Sequence, residues 1–224
     1  MRLDRRLKRL TALVAAAMLA GLAAIFFWVP TEEFSGVVQR VFYIHVPAAW
    51  AAYLAFVVVA VGSVAYLRSG STGWDTLAHA SAEVGVLFTI VNVVTGMAWG
   101  KPIWGTYWSW DPRLTSMFVL LLIYAGYLIF RALATDPTRG ARLAAVIGIV
   151  GLADIPLVHF SVFWARGLHP AGTVIGGPRL PNEMLATLIF MGAVFLLLYT
   201  LLLAMRVRMG RLAEELSALE ATGP

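Results

Sequence analysis

Six runs of apolar residues, nearly free of charge, dictate what this chain can fold into. They cover residues 10–29, 46–67, 76–98, 114–130, 143–163 and 184–205. Roughly 20 such residues wound as a helix cross the hydrocarbon core of a bilayer. The expectation is therefore an all-α polytopic membrane protein with six transmembrane helices. With 60% hydrophobic and 13% charged residues, the chain lies well outside the composition of a soluble domain. Its 224 residues leave no room for a second, soluble domain. Residues 1–206 are read as the membrane domain and 207–224 as a short polar tail. Two runs carry an acid: Glu83 near one end of the third, and Asp154 near the middle of the fifth.

The first run follows a basic stretch holding Arg2, Arg5, Arg6, Lys8 and Arg9, as a signal peptide would. Its apolar core is too long for one, and no small-x-small cleavage site ends it, so it is read as a retained helix. Orientation follows from the loops. If the N-terminus is cytoplasmic, 12 of the 17 Lys and Arg fall on the inner side and only Arg40, Lys101, Arg113, Arg166 and Arg179 on the outer. The positive-inside bias then places both termini in the cytoplasm. The net charge of +5 is spread over helix ends, so it is topology and not a nucleic-acid surface. The absence of cysteine removes disulfides, iron–sulfur clusters and thiolate metal sites.

The tryptophans break the symmetry of a membrane belt, which lines both interfaces. Of eight, Trp28, Trp50, Trp99, Trp104, Trp108, Trp110 and Trp164 fall at or near the outer side, and only Trp74 at the inner. Four lie between Trp99 and Asp111. Read as a helix, this segment puts Trp104 and Trp108 on one face, with Gly105 leaving a gap beside them. Such an apolar platform is costly unless a lipid, a partner protein or a flat ligand covers it.

Two histidines fall on the same side. His45 stands just before the second run, with Pro47 suited to that helix's first turn. His169 precedes Pro170, which holds it extended. Two neutral imidazoles flanking an aromatic platform suit bis-His ligation of haem iron. The outer cations Lys101, Arg113, Arg166 and Arg179 are available for propionates. His79 reads as an interfacial polar residue. His159 and Asp154, inside the fifth run, are intramembrane ionisable groups and so functional candidates; a helix–helix hydrogen bond is the plainer reading. Pro156 between them should kink that helix.

The stretch from Trp104 to Thr115, Trp-Gly-Thr-Tyr-Trp-Ser-Trp-Asp-Pro-Arg-Leu-Thr, resembles the "WWD" signature of haem-handling membrane proteins. With Phe42 to Trp50, Thr95 to Pro102 and Ile155 to Val162, the resemblance covers nearly the whole chain and is closest to the six-helix haem exporter protein C family of cytochrome c maturation system I. It implies a multi-pass protein of the cell inner (cytoplasmic) membrane, working at its periplasmic face. It implies transiently bound haem b with His45 and His169 as axial ligands. Trp99, Trp104, Gly105, Trp108, Trp110 and Asp111 form the platform within 99–115, and Lys101 or Arg113 meets a propionate. Implied partners, beyond membrane lipid, are a membrane-anchored haem chaperone, the ATPase and permease subunits of an ATP-binding cassette transporter, and a small one-helix subunit. No nucleic acid and no catalytic residue is expected; the protein presents or exports haem and is not an enzyme. Asp154 departs from the uncharged polar residue of relatives.

Three alternatives stand beside this. A cytochrome c synthase or haem lyase component has more helices and further transmembrane histidines. A membrane dihaem cytochrome b would place paired histidines deep in facing helices. A substrate permease would show broken helices at matching places in two halves, and no such symmetry is present. Without a Gly-x-x-x-x-Gly-Lys-Ser/Thr loop, the chain does not hydrolyse ATP by itself.

Overall fold

A computed structural model describes residues 5–164, 167–169 and 180–222. Arg166, Pro170 and Arg179, singled out above, lie outside the described residues. Seven helices fill the described chain: α1 Arg5–Ala23, extended by a wide turn Ala24–Trp28; α2 Phe42–Ser69, entered through a 3-10 turn Val37–Val41; α3 Thr72–Trp104; α4 Pro112–Leu133; α5 Pro137–Gly151; α6 Asp154–Trp164; and α7 Asn182–Thr222. Among the described residues six stretches are long and apolar enough to cross a membrane, α5 and α6 together making one of them. The protein is an all-α, multi-pass membrane protein. Among the described residues the only β pairing is one isolated bridge, Glu32 to Gly36.

Packing centres on α2 against α3. In lipid, apolar burial gives no hydrophobic drive between helices, so close approach of small residues and interhelical hydrogen bonds do the work. Ala48, Ala51, Ala52 and Ala55 of α2 are fully buried. A Cβ on Gly85 would stand 2.6 Å from the Phe56 ring. The Ser81 hydroxyl donates to the Ala55 carbonyl (2.7 Å) and meets the Tyr199 hydroxyl (2.9 Å), joining α2, α3 and α7. Gly85→Val should therefore lower stability by about 1–3 kcal/mol, the usual cost of overpacking, seen as a fall in the thermal midpoint in detergent. Gly85→Ala should fall less.

At the end of the bundle away from His45, two bidentate ion pairs clamp α3 to its neighbours: Arg131 of α4 on Asp75, and Arg206 of α7 on Glu83. Charged groups at membrane depth survive by such pairing. Glu83 is thus a structural partner of Arg206. α7 continues without a break past residue 206 to Thr222, so as far as that residue the tail is a helical extension of the last span.

The fifth span is broken, not merely kinked. α5 stops at Gly151 and α6 starts at Asp154, with 3-10-type bonds from Leu152, Ala153 and Ile155 across the gap. Pro156 lacks an N–H and crowds the carbonyl four residues back, which is that of Leu152. The break therefore falls ahead of the proline. It redirects the chain: α5 packs against α2 and α4, whereas α6 packs mainly against α4. The space this leaves between α6 and the His45 end of α2 is where the site lies.

Candidate functional site

A cavity of about 640 Å³ fills that space. His45, Ala49, Trp50 and Tyr53 of α2 form one wall; Val158, His159, Phe160 and Phe163 of α6 form the opposite one. Arg113 and Met117 of α4, Asn92 of α3, and His169 complete it. The structure thus brings His45 and His169 to one cavity. His45 lies in the first turn of α2, because the helix begins at Phe42 and not after the histidine. Pro47 is accordingly inside the helix rather than in its first turn.

Each histidine is held by its Nδ1. His45 Nδ1 lies 3.0 Å from the Asn92 carbonyl oxygen and 3.2 Å from Thr95 Oγ1. His169 Nδ1 lies 2.7 Å from Asp111 Oδ1. With the ring proton on Nδ1 facing these acceptors, the Nε2 lone pair is available for a metal; metal-binding histidines are oriented in this way.

Asp111 organises the loop as well as the histidine. It caps α4, its Oδ1 accepting from the amides of Arg113 (3.0 Å) and Leu114 (3.3 Å), and Pro112 takes the first helical position. Its Oδ2 accepts from the amides of Leu168 (2.6 Å) and His169 (3.3 Å). Burial alone would raise the Asp111 pKa, but His169 and these amides more than offset it and hold the carboxyl below its ordinary range. His169 is held below its ordinary value by burial, against the pull of Asp111, so it is neutral at pH 7.

The Trp-rich segment is not one helix. Gly105, in the left-handed conformation (φ 76°), ends α3 with its N–H on the Lys101 carbonyl. Trp104 is the last residue of α3 and Trp108 lies in the loop, so they do not share a helix face. Trp104 packs edge-on to His169 (4.9 Å between ring centres) and Trp99 edge-on to His45 (6.0 Å). Trp108 meets Trp110 and Phe118 edge-on, and Trp110 is 76% exposed. Among the described residues these four do not line the cavity; Trp50, Tyr53, Phe160 and Phe163 do. Lys101 is committed to the loop, donating to the Gly105 carbonyl and lying over the Tyr107 ring. That leaves Arg113 as the cation on the cavity wall among the described residues, its guanidinium donating to the His159 carbonyl. His159 lines the cavity, and Asp154 Oδ2 is buried with no hydrogen-bond partner among the described residues.

The arrangement suits haem. Its volume falls in the range of pockets for drug-sized ligands and cofactors. Its walls are aromatic and aliphatic, and its polar residues are His45, His159, His169, Arg113, Asn92 and Tyr53. Comparison with known proteins agrees. The family model described as "Heme exporter protein C" matches residues 1–222. The chain belongs to the haem exporter protein C family. It is 38% identical to "Heme exporter protein C" of Bradyrhizobium diazoefficiens, over 77% of this chain and 66% of that protein, so it spans about two thirds of that relative's length. It is 34% identical to the protein of that name from Rhodobacter capsulatus, over 96% of this chain and 90% of that one. A ccmC-like mitochondrial protein of Marchantia polymorpha named for cytochrome c biosynthesis is 36% identical over 77% of each chain. Trp50, Tyr53, Asn92 and Thr95 were given no role in the site by sequence reasoning, although Trp50 was counted among the outer-side tryptophans. The polar Asn92 inside an apolar run was the available signal; the two aromatic residues are indistinguishable there from lipid-facing ones.

Proposed function

We propose that the protein binds haem as cargo in this cavity, at the periplasmic face of the inner membrane, and hands it to a haem chaperone during biogenesis of c-type cytochromes. The observation that carries the reading is the convergence of His45 and His169, from distant parts of the chain, on one apolar cavity with both Nδ1 atoms already engaged. His45 and His169 are the axial ligands. Arg113, on the wall, meets a propionate. Trp99 and Trp104 buttress the two histidines from behind, and exposed Trp110 with Tyr107 offers an apolar face to the chaperone. The protein performs no chemistry on haem. The membership of the family supports a complex with the ATP-binding cassette subunits and a one-helix subunit, and the excess of Lys and Arg on the inner side supports both termini on the cytoplasmic side.

The test is uptake of haem by the purified protein in detergent. One haem per chain with a six-coordinate, low-spin spectrum is expected; no uptake, or a high-spin spectrum insensitive to either histidine, would overturn the reading. Two further outcomes follow. Arg113→Gln should weaken haem binding about ten-fold, the worth of one charge-assisted contact, while Lys101→Gln should change it less than three-fold, on the order of 0.6 kcal/mol. Replacing Trp108 and Trp110 together by Ala should lower the transfer rate to the chaperone without loss of helical circular dichroism, and normal transfer would remove the exposed face from the hand-over.

A further inference from the structure

Four residues of α3 spaced along one helical stripe, Asn92, Thr95, Gly96 and Trp99, all meet His45. The Asn92 carbonyl oxygen and Thr95 Oγ1 both approach His45 Nδ1, at 3.0 and 3.2 Å. The Thr95 hydroxyl proton is itself directed at a backbone carbonyl, that of Val91 (2.6 Å) or Asn92 (3.0 Å), so its oxygen faces the histidine as an acceptor. The Asn92 side chain donates to the His45 carbonyl (2.9 Å), tying the first turn of α2 to α3. That same amide nitrogen stands 3.3 and 3.4 Å from the two ring nitrogens, nearly equidistant, as an atom over the ring would. A Cβ on Gly96 would come within 3.0 Å of His45 Cε1, so the ring lies flush on the helix at the one position with no side chain. The Trp99 ring stands edge-on beyond it.

Two acceptors therefore converge on Nδ1, and among the described residues no acceptor is aimed at Nε2. We infer that Asn92 and Thr95 are positioning residues, which hold His45 as its Nδ1–H tautomer and present an Nε2 lone pair to the cavity. The tautomer part stands on geometry alone; that the lone pair is for haem iron rests on the function proposed above. Thr95 is not among the residues lining the cavity, whereas Asn92 is; the role assigned here is the one each has through the histidine. Partners behind a metal-bound histidine typically carry 10–100-fold in affinity.

The experiment has two arms. The first needs no haem: nitrogen-15 NMR of the histidine-labelled protein in nanodiscs. The wild type is expected to show His45 as Nδ1–H, Thr95→Val to show a mixed tautomer, and Thr95→Ser to restore the wild-type signal, since the hydroxyl returns. An Nε2–H tautomer in the wild type would overturn the proposal. The second arm loads haem and adds imidazole as a competing ligand. Thr95→Val should lower the imidazole concentration needed to displace His45 about ten-fold, with Thr95→Ser unchanged; a merely structural role would reduce haem content in both without moving the competition. Gly96→Ala, which pushes the ring without touching either acceptor, should shift the competition in the same direction. Equal competition curves for wild type, Thr95→Val and Gly96→Ala would sink the idea. If His45→Ala itself leaves the haem spectrum unaltered, the ligand reading fails while the tautomer result is judged separately by the first arm.

Discussion

Replacing both His45 and His169 by Ala should abolish haem uptake while the helical bundle stays folded. Losing even a partner behind a metal-bound histidine costs about 10–100-fold, so losing both ligands should cost roughly a hundred-fold or more. The bundle should survive because neither side chain is a pillar of the fold. The interhelical contacts rest on Ala48, Ala51, Ala52 and Gly85, on Ser81 with Tyr199, and on the two ion pairs at the other end. Each single substitution should leave a five-coordinate haem whose sixth position accepts added imidazole. Titration of haem against each variant reads the loss, and far-ultraviolet circular dichroism checks the helices. A double variant that binds haem with an unchanged spectrum would remove both residues from the site.

How much of this was legible in the chain depends on the kind of signal. The six spans were, because in lipid an uncharged apolar run has few other fates. The ends were not: α3 runs from Thr72 to Trp104, beyond the apolar stretch at both sides. Gly105 was visible, but not that it would take the left-handed cap and part Trp104 from Trp108. The kink expected at Pro156 is a full break, displaced to Leu152–Ala153 because the steric conflict acts on a carbonyl four residues back. That His45 and His169 fall on one side was legible, and both line one cavity. The wall that α6 and Trp50 supply was not, because nothing in the pattern of an apolar span says which way a broken half-helix turns.

The second large effect should come from Asp111. Its two oxygens take four backbone amides and face the imidazole of His169, so one carboxylate starts α4, fixes Leu168 and His169, and sets the ring's tautomer. Gly167 is drawn so close that a Cβ there would stand 2.1 Å from Oδ2. Asp111→Asn keeps a good helix cap but withdraws the anion, and should weaken haem binding about 10–100-fold, as loss of a partner behind a metal ligand does. Asp111→Ala loses the cap too, about 1 kcal/mol more, and leaves the amides of Leu114 and Leu168 without an acceptor. Hydrogen exchange at Arg113, Leu114, Leu168 and His169 should accelerate strongly in the Ala variant and mildly in the Asn variant. The pH dependence has a definite sign. His169 titrates below its ordinary value when folded, so the unfolded chain takes that proton first, and this part of the stability falls as pH drops below about 6.5. Asp111 titrates below its ordinary value too, so its contribution is present above about 3.9 and is lost as pH falls further. Both act in the same direction: the loop is anchored at neutral pH and loosens in acid. In Asp111→Asn the carboxylate's pull is gone while burial and the Arg113 charge both still lower His169, so the imidazole stays neutral. Its loss of affinity should therefore persist at pH 7 to 8, where a protonation defect would have disappeared. A variant that regains wild-type affinity at pH 8 would show that Asp111 supplies charge to the site and not orientation.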